Sequence, residues 1–219
     1  MFGNIVRIMK YDRASNVANA IPALNFQGMV LNWHRLDDGV MGGQSETLHS
    51  STITLSDGSK LEGLHFTGTI NTKGGGFTSI RAPLEESAYL PKEAVAIKLK
   101  IRGDGKMYKI LLSDGSGGFR GGLSFQADFP TKALADDDAS QEITLPLESF
   151  IPSSGGSTIA KEKADFKAEK MRQIGLMLSL KLSDGSANPK ESFGEGIFPF
   201  SLIVESLEIV LEGNEKKTG

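Results

Sequence analysis

The chain contains no cysteine, which excludes disulfides, thiol catalysis, Cys-ligated zinc and iron–sulfur centres. Aromatic residues are scarce, with one Trp and three Tyr beside twelve Phe in 219 residues. The three histidines, His34, His49 and His65, lack the His-x-His and His-Glu-x-x-His spacings of metal sites. No Gly-x-Ser-x-Gly nucleophile elbow occurs either. We therefore predict a protein without catalytic residues, metal or cofactor.

Charge and hydropathy exclude further classes of partner. Lys and Arg total 24 against 27 Asp and Glu, a net charge of -3, so bulk attraction to nucleic acid is not expected. The most apolar stretch, Ser201–Leu211, alternates and carries two glutamates, so we predict no transmembrane segment. The first twenty residues hold Arg7, Lys10 and Arg13 against the single acid Asp12, which leaves an organelle-targeting segment open.

The main structural signal is an alternation of apolar and polar residues. Within Ala94–Arg102 every second residue is a large aliphatic one, as a half-buried strand requires. Further alternating runs are Thr47–Leu55, Leu61–Ile70, Met107–Leu112, Leu123–Phe129, Gln141–Leu147, Ile174–Leu182 and Phe198–Val204. The connections between these runs lack regular helices, which argues against βαβ units. We predict an all-β fold, an antiparallel β-sandwich with short peripheral helices.

Two facing strands define the predicted core. We expect the aliphatic residues of Ala94–Arg102 to pack against those of the run that begins at Ile174. The expected core residues are Val95, Ile97, Leu99, Ile101, Ile174, Leu176, Leu178 and Leu180.

A repeated pentapeptide marks the turns. Leu-Ser-Asp-Gly-Ser follows an alternating run three times, at Leu55–Ser59, Leu112–Ser116 and Leu182–Ser186. Asp-Gly tolerates the positive φ angles of tight turns, so we predict a turn at each site.

Two segments have helical character. Thr158–Lys170 is charged and contains alanine, and Phe2–Met9 places apolar residues at helical spacing. We divide the chain into an N-terminal extension with this helical spacing at residues 1–27, a sandwich domain at 28–212 and a C-terminal tail at 213–219.

Glycine-rich segments carry the unusual side chains. Lys73–Arg81 lacks the Gly-Lys-Ser/Thr ending of a phosphate loop and leads into a strand, so we predict no nucleotide site there. We expect the segments to converge, with Asp38 held by Arg81 or by amides of the Gly39–Gly43 turn. The alternative is a purely structural corner that Asp38 caps. The three segments are Trp33–Ser45, Lys73–Arg81 and Arg102–Lys106.

These segments resemble a known protein family in order and spacing. The matching residues are Trp33, Asp38–Gly43, Ser45, Phe66–Gly68, Gly75–Phe77, Arg81, Arg102–Gly105 and Tyr108. A looser likeness continues through Phe125, Phe129, Pro146, Phe150, Ile174–Gly175, Gly196, Phe198 and Leu202. In these features the chain resembles the complex I intermediate-associated proteins of the thirty-kilodalton type, from about Leu31 to Val210.

The resemblance implies a galactose-binding-like jelly roll. It also implies a non-enzymatic, chaperone-like assembly factor for mitochondrial NADH:ubiquinone oxidoreductase, whose partners are protein subunits of that membrane complex. Photosynthetic-complex biogenesis and glycan binding are the alternatives, and chloroplast or cytoplasm are the alternative locations. We predict that a partner or ligand contacts Trp33, Asp38, Met41, Gly42, Gly43, Ser45, Phe77, Arg81, Arg102, Asp104 and Tyr108.

Overall fold

The computed structural model describes residues 25–26, 29–54, 58, 60–116, 122–133 and 140–213. The strands in these ranges are β1 Asn25–Phe26, β2 Met29–Val30, β3 His34–Arg35, β4 Glu46–Thr54, β5 Lys60–Asn71, β6 Phe77–Pro83, β7 Ala94–Arg102, β8 Met107–Ser113, β9 Leu123–Pro130, β10 Gln141–Pro146, β11 Ile151–Ser154, β12 Ser157–Thr158, β13 Gln173–Ser179 and β14 Ile197–Leu211. Helix α1 is Lys190–Phe193, and short 3₁₀ turns are Asp38–Met41, Glu86–Ala88, Leu147–Ser149, Lys161–Lys163 and Ala168–Lys170. The predicted N-terminal helix lies outside the described residues, and the domain boundaries stay a prediction.

The strands form two sheets. One has five strands in the order β10-β7-β14-β5-β4, and the other has seven in the order β12-β11-β9-β8-β13-β6-β3. All strand pairs within both sheets are antiparallel. A hairpin of β1 and β2 stands beside them. The predicted antiparallel sandwich is confirmed.

The core lies between β7 of one sheet and β13 of the other, as the alternation predicts. Ile97, Leu99 and Ile101 are fully buried, and so are the aliphatic residues of β13. Two predicted core residues are exceptions. Val95 is 41% exposed because the pairing of β14 with β7 skips from Ala96 to Ala94 and leaves it at an irregularity. Leu180 is 37% exposed because β13 ends one residue before it.

Aromatic rings join the two sheets. Phe66 of β5 contacts Phe200 of β14 edge-on, with 4.9 Å between ring centroids. Across the interior, Phe66 also meets Tyr108 of β8 at 6.2 Å, and Tyr108 stacks with Phe129 of β9 at the same distance. Rings in such edge and offset arrangements add stabilisation beyond the area they bury. The core is therefore continuous from one sheet to the other.

Two of the three pentapeptide turns can be compared directly, and they are alike. The Asp114 carboxylate accepts hydrogen bonds from Ser116 N–H at 2.9 Å and from its hydroxyl at 2.6 Å. Asp184 holds Ser186 in the same way, at 2.8 and 2.6 Å. The intervening glycines have φ angles of 73° and 89°, which favour glycine. The predicted turns are confirmed at these two sites, while most of the first pentapeptide lies outside the described residues.

The predicted helix at Thr158–Lys170 is wrong. The segment contains only two three-residue 3₁₀ turns, separated by extended backbone at Ala164 and Lys167. Phe166 packs edge-on against Phe125 at 4.9 Å instead of lying on a helical face. Tertiary packing of this ring thus overrides a moderate helix propensity.

A β-bulge interrupts β14. Val204 pairs with Ile101 and Ser206 pairs with Lys100, so Glu205 is an extra residue in the strand. Its buried carboxylate lies 2.7 Å from Lys100 Nζ and 2.6 Å from Arg102 Nε. Burial opposes ionisation of Glu205, but the two cations outweigh burial and lower its carboxyl pKa.

The packing predicts the effect of truncating the core. We expect Leu99→Ala and Leu178→Ala each to lower the free energy of unfolding by about 2 to 5 kcal/mol, because a fully buried side chain is lost and a cavity remains. Urea denaturation followed by circular dichroism measures the change. Leu48→Ala is the matched control, because Leu48 is exposed on β4 and its truncation should change stability by less than about 0.5 kcal/mol. Equal effects at all three positions would contradict the assigned core.

Candidate functional site

The segment between β3 and β4 forms a tight corner at one end of the sandwich. Asp38–Met41 makes one 3₁₀ turn, and Gly42 ends it in the left-handed region with a φ of 88°. Gly43 N–H then donates to Asp38 C=O at 3.0 Å. A left-handed residue is needed for the chain to reverse here, and glycine adopts it without steric cost. The corner therefore has one defined backbone path from β3 into β4.

The Asp38 carboxylate is the centre of this corner. It is completely buried, with 0% of its surface exposed. Ser45 donates to it twice, from N–H at 2.9 Å and from its hydroxyl at 2.7 Å. Gly76 N–H donates at 2.6 Å and Phe77 N–H at 3.4 Å, both from the start of β6. One side chain thus ties the corner to the segment that precedes β6.

Hydrogen bonding keeps this buried carboxyl ionised. Burial alone would raise its pKa, but the donors from Ser45, Gly76 and Phe77 outweigh burial and hold the Asp38 pKa below its usual value. Such charge-assisted bonds are about twice as strong as neutral ones. Within the described ranges, the donors to this negative charge are three backbone N–H groups and the Ser45 hydroxyl, and none is a cation.

Two glycines allow the backbone to approach the carboxylate. A Cβ at Gly43 would lie 2.2 Å from Asp38 Cγ, and one at Gly75 would lie 2.2 Å from Asp38 Oδ2. Neither distance is compatible with a side chain. We name Asp38, Ser45 and the residues Gly75–Phe77 the aspartate clasp.

The expected partners of Asp38 are wrong in both versions. The Gly39–Gly43 amides do not bind its carboxylate, and Arg81 does not either; instead the donors come from Ser45, Gly76 and Phe77. Arg81 lies on β6 opposite His34, on the outer face of the seven-stranded sheet. Its Nε is buried and has no hydrogen-bond acceptor in the part of the chain that the structure describes, and burial lowers the pKa of its guanidinium.

The neighbouring carboxylate of Asp37 binds a different residue. It accepts hydrogen bonds from Thr47 N–H at 3.1 Å and from the Thr47 hydroxyl. Burial nevertheless raises the pKa of Asp37, against the effect of these bonds and of Arg35. Adjacent acids on extended backbone point apart, and here each one holds a different residue of the chain entering β4.

The expected convergence of three glycine-rich segments holds for two of them. The first and second meet at the aspartate clasp, whereas Asp104 of the third accepts from Tyr108 O–H at 3.0 Å and from Ser201 N–H at 2.9 Å. Ser201 pairs with Thr67 of β5, four residues or about 13 Å along that strand from Asn71 at the corner. The third segment therefore forms a site of its own.

The other predicted site residues divide into buried and exposed sets. Trp33 and Tyr108 belong to the core, and Arg102 binds Glu205. Phe77 is half-buried, while Met41 is 68% exposed at the tip of the corner. Whether these residues share a binding surface stays a prediction.

Sequence reasoning missed three exposed apolar side chains near the corner. Val40 is 64% exposed, Ile197 is 71% exposed, and Leu180 is the residue beyond β13 described above. Val40 and Met41 are an apolar pair inside a glycine-rich loop, and this pattern could have indicated that Val40 is exposed. The exposure of Ile197 and Leu180 depends on where β14 begins and β13 ends, which alternation does not define.

No catalytic arrangement emerges among the histidines. His65 Nε2 lies 2.9 Å from Ser201 Oγ on the outer face of the five-stranded sheet, and burial lowers its pKa. Across the described ranges, no group of three or more His, Asp or Glu side chains could hold a metal ion. In the same ranges no helix is long and apolar enough to cross a bilayer.

Comparison with known protein families shows to which family the chain belongs. The sequence model of complex I intermediate-associated protein 30 matches residues 24–203, most of the chain. This chain belongs to the complex I intermediate-associated protein 30 family. The match spans the aspartate clasp, both sheets and the aromatic core. No curated protein sequence matches the chain.

Solved structures support the jelly-roll fold of this family member. The family 11 carbohydrate-binding module from Clostridium thermocellum, in complex with a β-1,3-1,4-mixed-linked tetrasaccharide, has a TM-score of 0.53 at 13% identity, covering 83% of this chain and 89% of that one. The family 11 module of the cellulase Lic26A-Cel5E from the same organism has a TM-score of 0.55 at 11% identity, covering 90% and 96%. At this identity the likeness concerns the fold alone.

Because the backbone approaches the Asp38 carboxylate closely, we predict that alanine substitutions at two glycines of this family member differ sharply in their effect on stability. We expect Gly43→Ala to destabilise the fold by more than about 2 kcal/mol, because the new methyl group collides with the carboxylate. Gly39→Ala is the matched control, since nothing lies within 4 Å of a Cβ there, and its effect should stay within about 1 kcal/mol. Thermal and urea unfolding measure both variants. Equal destabilisation would contradict the geometry of the clasp.

The lowered pKa of Asp38 predicts a pH-dependent stability. We expect Asp38→Asn to cost about 1 to 3 kcal/mol at pH 7, because an amide N–H₂ would face the donors of Ser45 and Gly76. A carboxyl whose pKa is lowered by folding stabilises the protein above its unfolded-state pKa, and this contribution is lost as the pH falls through the folded-state pKa. The difference in the free energy of unfolding between wild type and Asp38→Asn should therefore become smaller as the pH falls.

Urea titrations at several pH values test this dependence. Asp165→Asn is the control, because Asp165 is exposed and its ion pair with Lys167 should contribute little. If the loss of unfolding free energy in Asp38→Asn did not depend on pH, the negative charge of Asp38 would not stabilise the fold.

Proposed function

We propose that this chain is a non-enzymatic, chaperone-like assembly factor that binds protein subunits of a membrane electron-transfer complex, namely respiratory complex I. The observation that carries the proposal is the family match over residues 24–203. An assembly factor needs a surface that holds incomplete subunits, and the corner end of the sandwich has the required properties.

Exposed apolar side chains gather at this end. Among the described residues seven large apolar side chains are exposed, and four of them surround the segment Thr72–Gly76. Leu180 N–H donates to Gly76 C=O at 3.0 Å, and Thr72 N–H donates to Gly196 C=O at 2.9 Å. A Cβ at Gly74 would lie 3.6 Å from the Gly42 carbonyl oxygen. We call these four residues the apolar rim: Val40, Met41, Leu180 and Ile197.

The aspartate clasp gives the apolar rim a fixed shape. Val40 and Met41 lie within the turn that Asp38 begins, and Leu180 is bonded to the Gly76 residue that Asp38 also binds. Unassembled subunits expose apolar surface that the finished complex buries, and apolar patches on a binding protein match such surfaces. A pre-formed patch loses less entropy on binding than a flexible one.

Four further predicted site residues lie beside the rim. Gly42, Gly43, Ser45 and Phe77 shape the corner on which the rim lies. We propose mitochondria as the location, with the chloroplast as the alternative if the client is a photosynthetic complex.

Glycan binding is disfavoured by the aromatic residues. Carbohydrate platforms use exposed rings, but in the described parts of the chain every Phe, Tyr and Trp is buried or half-buried. The half-buried rings are Phe77, Tyr89, Phe166 and Phe198. The described aromatic side chains therefore serve packing rather than an open platform.

The test is capture of client subunits by tagged protein in cells of the native source. We expect the double variant Val40→Ser/Met41→Ser to recover at least about fivefold less of the complex I subunits than wild type, with an unchanged melting temperature, because interface energy concentrates in a few apolar contacts. Quantitative mass spectrometry of the eluate measures recovery.

The matched control removes two exposed apolar residues elsewhere. Leu48→Ser/Val95→Ser should recover as much as wild type, since neither residue lies at the corner. Recovery of photosystem subunits in place of complex I subunits would identify a photosystem as the client. Equal recovery by both double variants would contradict the proposed binding surface.

A further inference from the structure

Two cationic side chains lie on the outer face of the seven-stranded sheet. Arg81 of β6 and Lys109 of β8 each alternate with core residues of their own strand, so both side chains leave the sheet on the side away from the core. Lys109 is only 5% exposed, and Arg81 is half-buried. Burial lowers the pKa of both side chains. Each charge therefore needs compensation from neighbouring groups.

The charge of Lys109 has this compensation. Its Nζ donates to Gln126 Oε1 of β9 at 3.4 Å. Asp128, which is paired with Lys109 across the β8–β9 ladder, favours the charged ammonium, and so does Asp184. Carboxylates near a buried ammonium offset part of the cost of taking it out of water. The fold thus supplies acids for one of the two cations.

The charge of Arg81 has no such compensation in the part of the chain that the structure describes. There its Nε is buried without an acceptor, and its terminal nitrogens, which also have no acceptor, keep contact with solvent. Burial is the one influence on the pKa of its guanidinium, so no described carboxylate lies close enough to affect the charge. Unused donors on a half-buried cation are rare in folded proteins and indicate a missing ion or ligand.

Packing holds the stem of Arg81 against the sheet. Arg81 is paired with Gly175 of β13, and a Cβ at Gly175 would lie 3.2 Å from Arg81 Cγ and 3.4 Å from Leu111 Cδ1. The absence of a side chain at Gly175 therefore gives the Arg81 stem room to lie over β13, beside the buried Leu111. On the other side of Arg81 in the ladder lies the exposed His34 of β3. The guanidinium is consequently carried on a fixed stem, which lowers the entropic cost of binding a ligand.

We infer that Arg81 anchors a binding site for a small oxyanion, the carboxylate or phosphate group of a water-soluble molecule. The planar guanidinium matches two oxygens of such a group and binds them through parallel N–H···O bonds. His34, directly opposite in the ladder, offers a ring N–H to the same group. The guanidinium is recessed, with Nε out of contact with solvent, which favours a small ligand over a flat protein surface.

This site is separate from the corner. Arg81 lies four residues, or about 13 Å, along β6 from Phe77 at the aspartate clasp. The inference therefore stands or falls independently of the proposed assembly function, and its test needs no client subunit.

Substitutions at Arg81 separate its charge from its shape. Arg81→Gln removes the charge, whereas Arg81→Lys keeps the charge and loses the planar fork. Arg35→Gln is the matched control, because Arg35 is an exposed arginine of β3 that leaves the sheet on the opposite side from His34. Circular dichroism and melting temperatures establish first that each variant is folded.

The probes are sodium phosphate and sodium acetate, with acetamide as the uncharged counterpart of acetate. Each is titrated into the full chain at constant ionic strength, because screening otherwise changes with the anion. Nuclear magnetic resonance follows the Arg81 Nε–H signal and the Gly175 amide. These signals report the site itself rather than anion binding elsewhere on the surface.

We expect saturable shifts of both signals in wild type with at least one of the two anions, and the tighter anion identifies the charged group of the ligand. Arg35→Gln should bind like wild type. Affinity, read from the Gly175 amide, should be at least about fivefold lower in Arg81→Gln and about threefold lower in Arg81→Lys, and acetamide should not bind. The inference is wrong if neither anion gives a saturable shift up to about 50 mM, or if Arg81→Gln binds as tightly as wild type.

Stability gives a second readout. A half-buried guanidinium without a counter-ion destabilises the free fold, and an apolar residue of similar length removes this cost. We expect Arg81→Met to melt at a higher temperature than wild type, and the bound anion to stabilise wild type more than this variant. A lower melting temperature for Arg81→Met would show that another part of the chain already satisfies the guanidinium, which would overturn the inference.

Discussion

The buried carboxylate of Asp38 is the interaction on which the corner end depends. It receives donors from two segments that lie more than thirty residues apart in sequence, at Ser45 and at Gly76. An unpaired buried charge would cost several kcal/mol, so the fold must deliver all of these donors at once. The corner, the start of β4 and the start of β6 are consequently ordered as one unit.

The alternation of apolar residues predicted most of the fold. It located β7 to the residue and identified Ile97, Leu99 and Ile101 as core, because a strand buried on one face leaves a strict period of two. The same signal was wrong at Val95, where a pairing irregularity exposes the side chain. Such irregularities arise from the fit between neighbouring strands, which no single stretch of sequence records.

The sequence predicted that glycine-rich segments meet at Asp38, but it did not predict which groups bind the carboxylate. Two of the three glycine-rich segments meet at Asp38 as expected, but neither Arg81 nor the amides of the Gly39–Gly43 turn binds its carboxylate. Three of the four donors are backbone N–H groups, those of Ser45, Gly76 and Phe77, and every residue type except proline supplies such a donor. The sequence therefore indicates that a carboxylate in a glycine-rich corner needs hydrogen-bond donors. Which backbone N–H groups donate depends on the three-dimensional path of the chain.

The bulge in β14 has an implication for how this strand can vary. Val204 and Leu207 both face the core although an even number of residues separates them, because Glu205 is the additional residue. A β14 shorter by that one position would keep every apolar side chain on its present face. What it would lose is the buried acid that lies 2.7 Å from Lys100 Nζ and 2.6 Å from Arg102 Nε. The length of β14 at this position is thus coupled to its ion pairs: one extra residue in the strand brings an acid to two cations of β7 without moving any apolar side chain off the core.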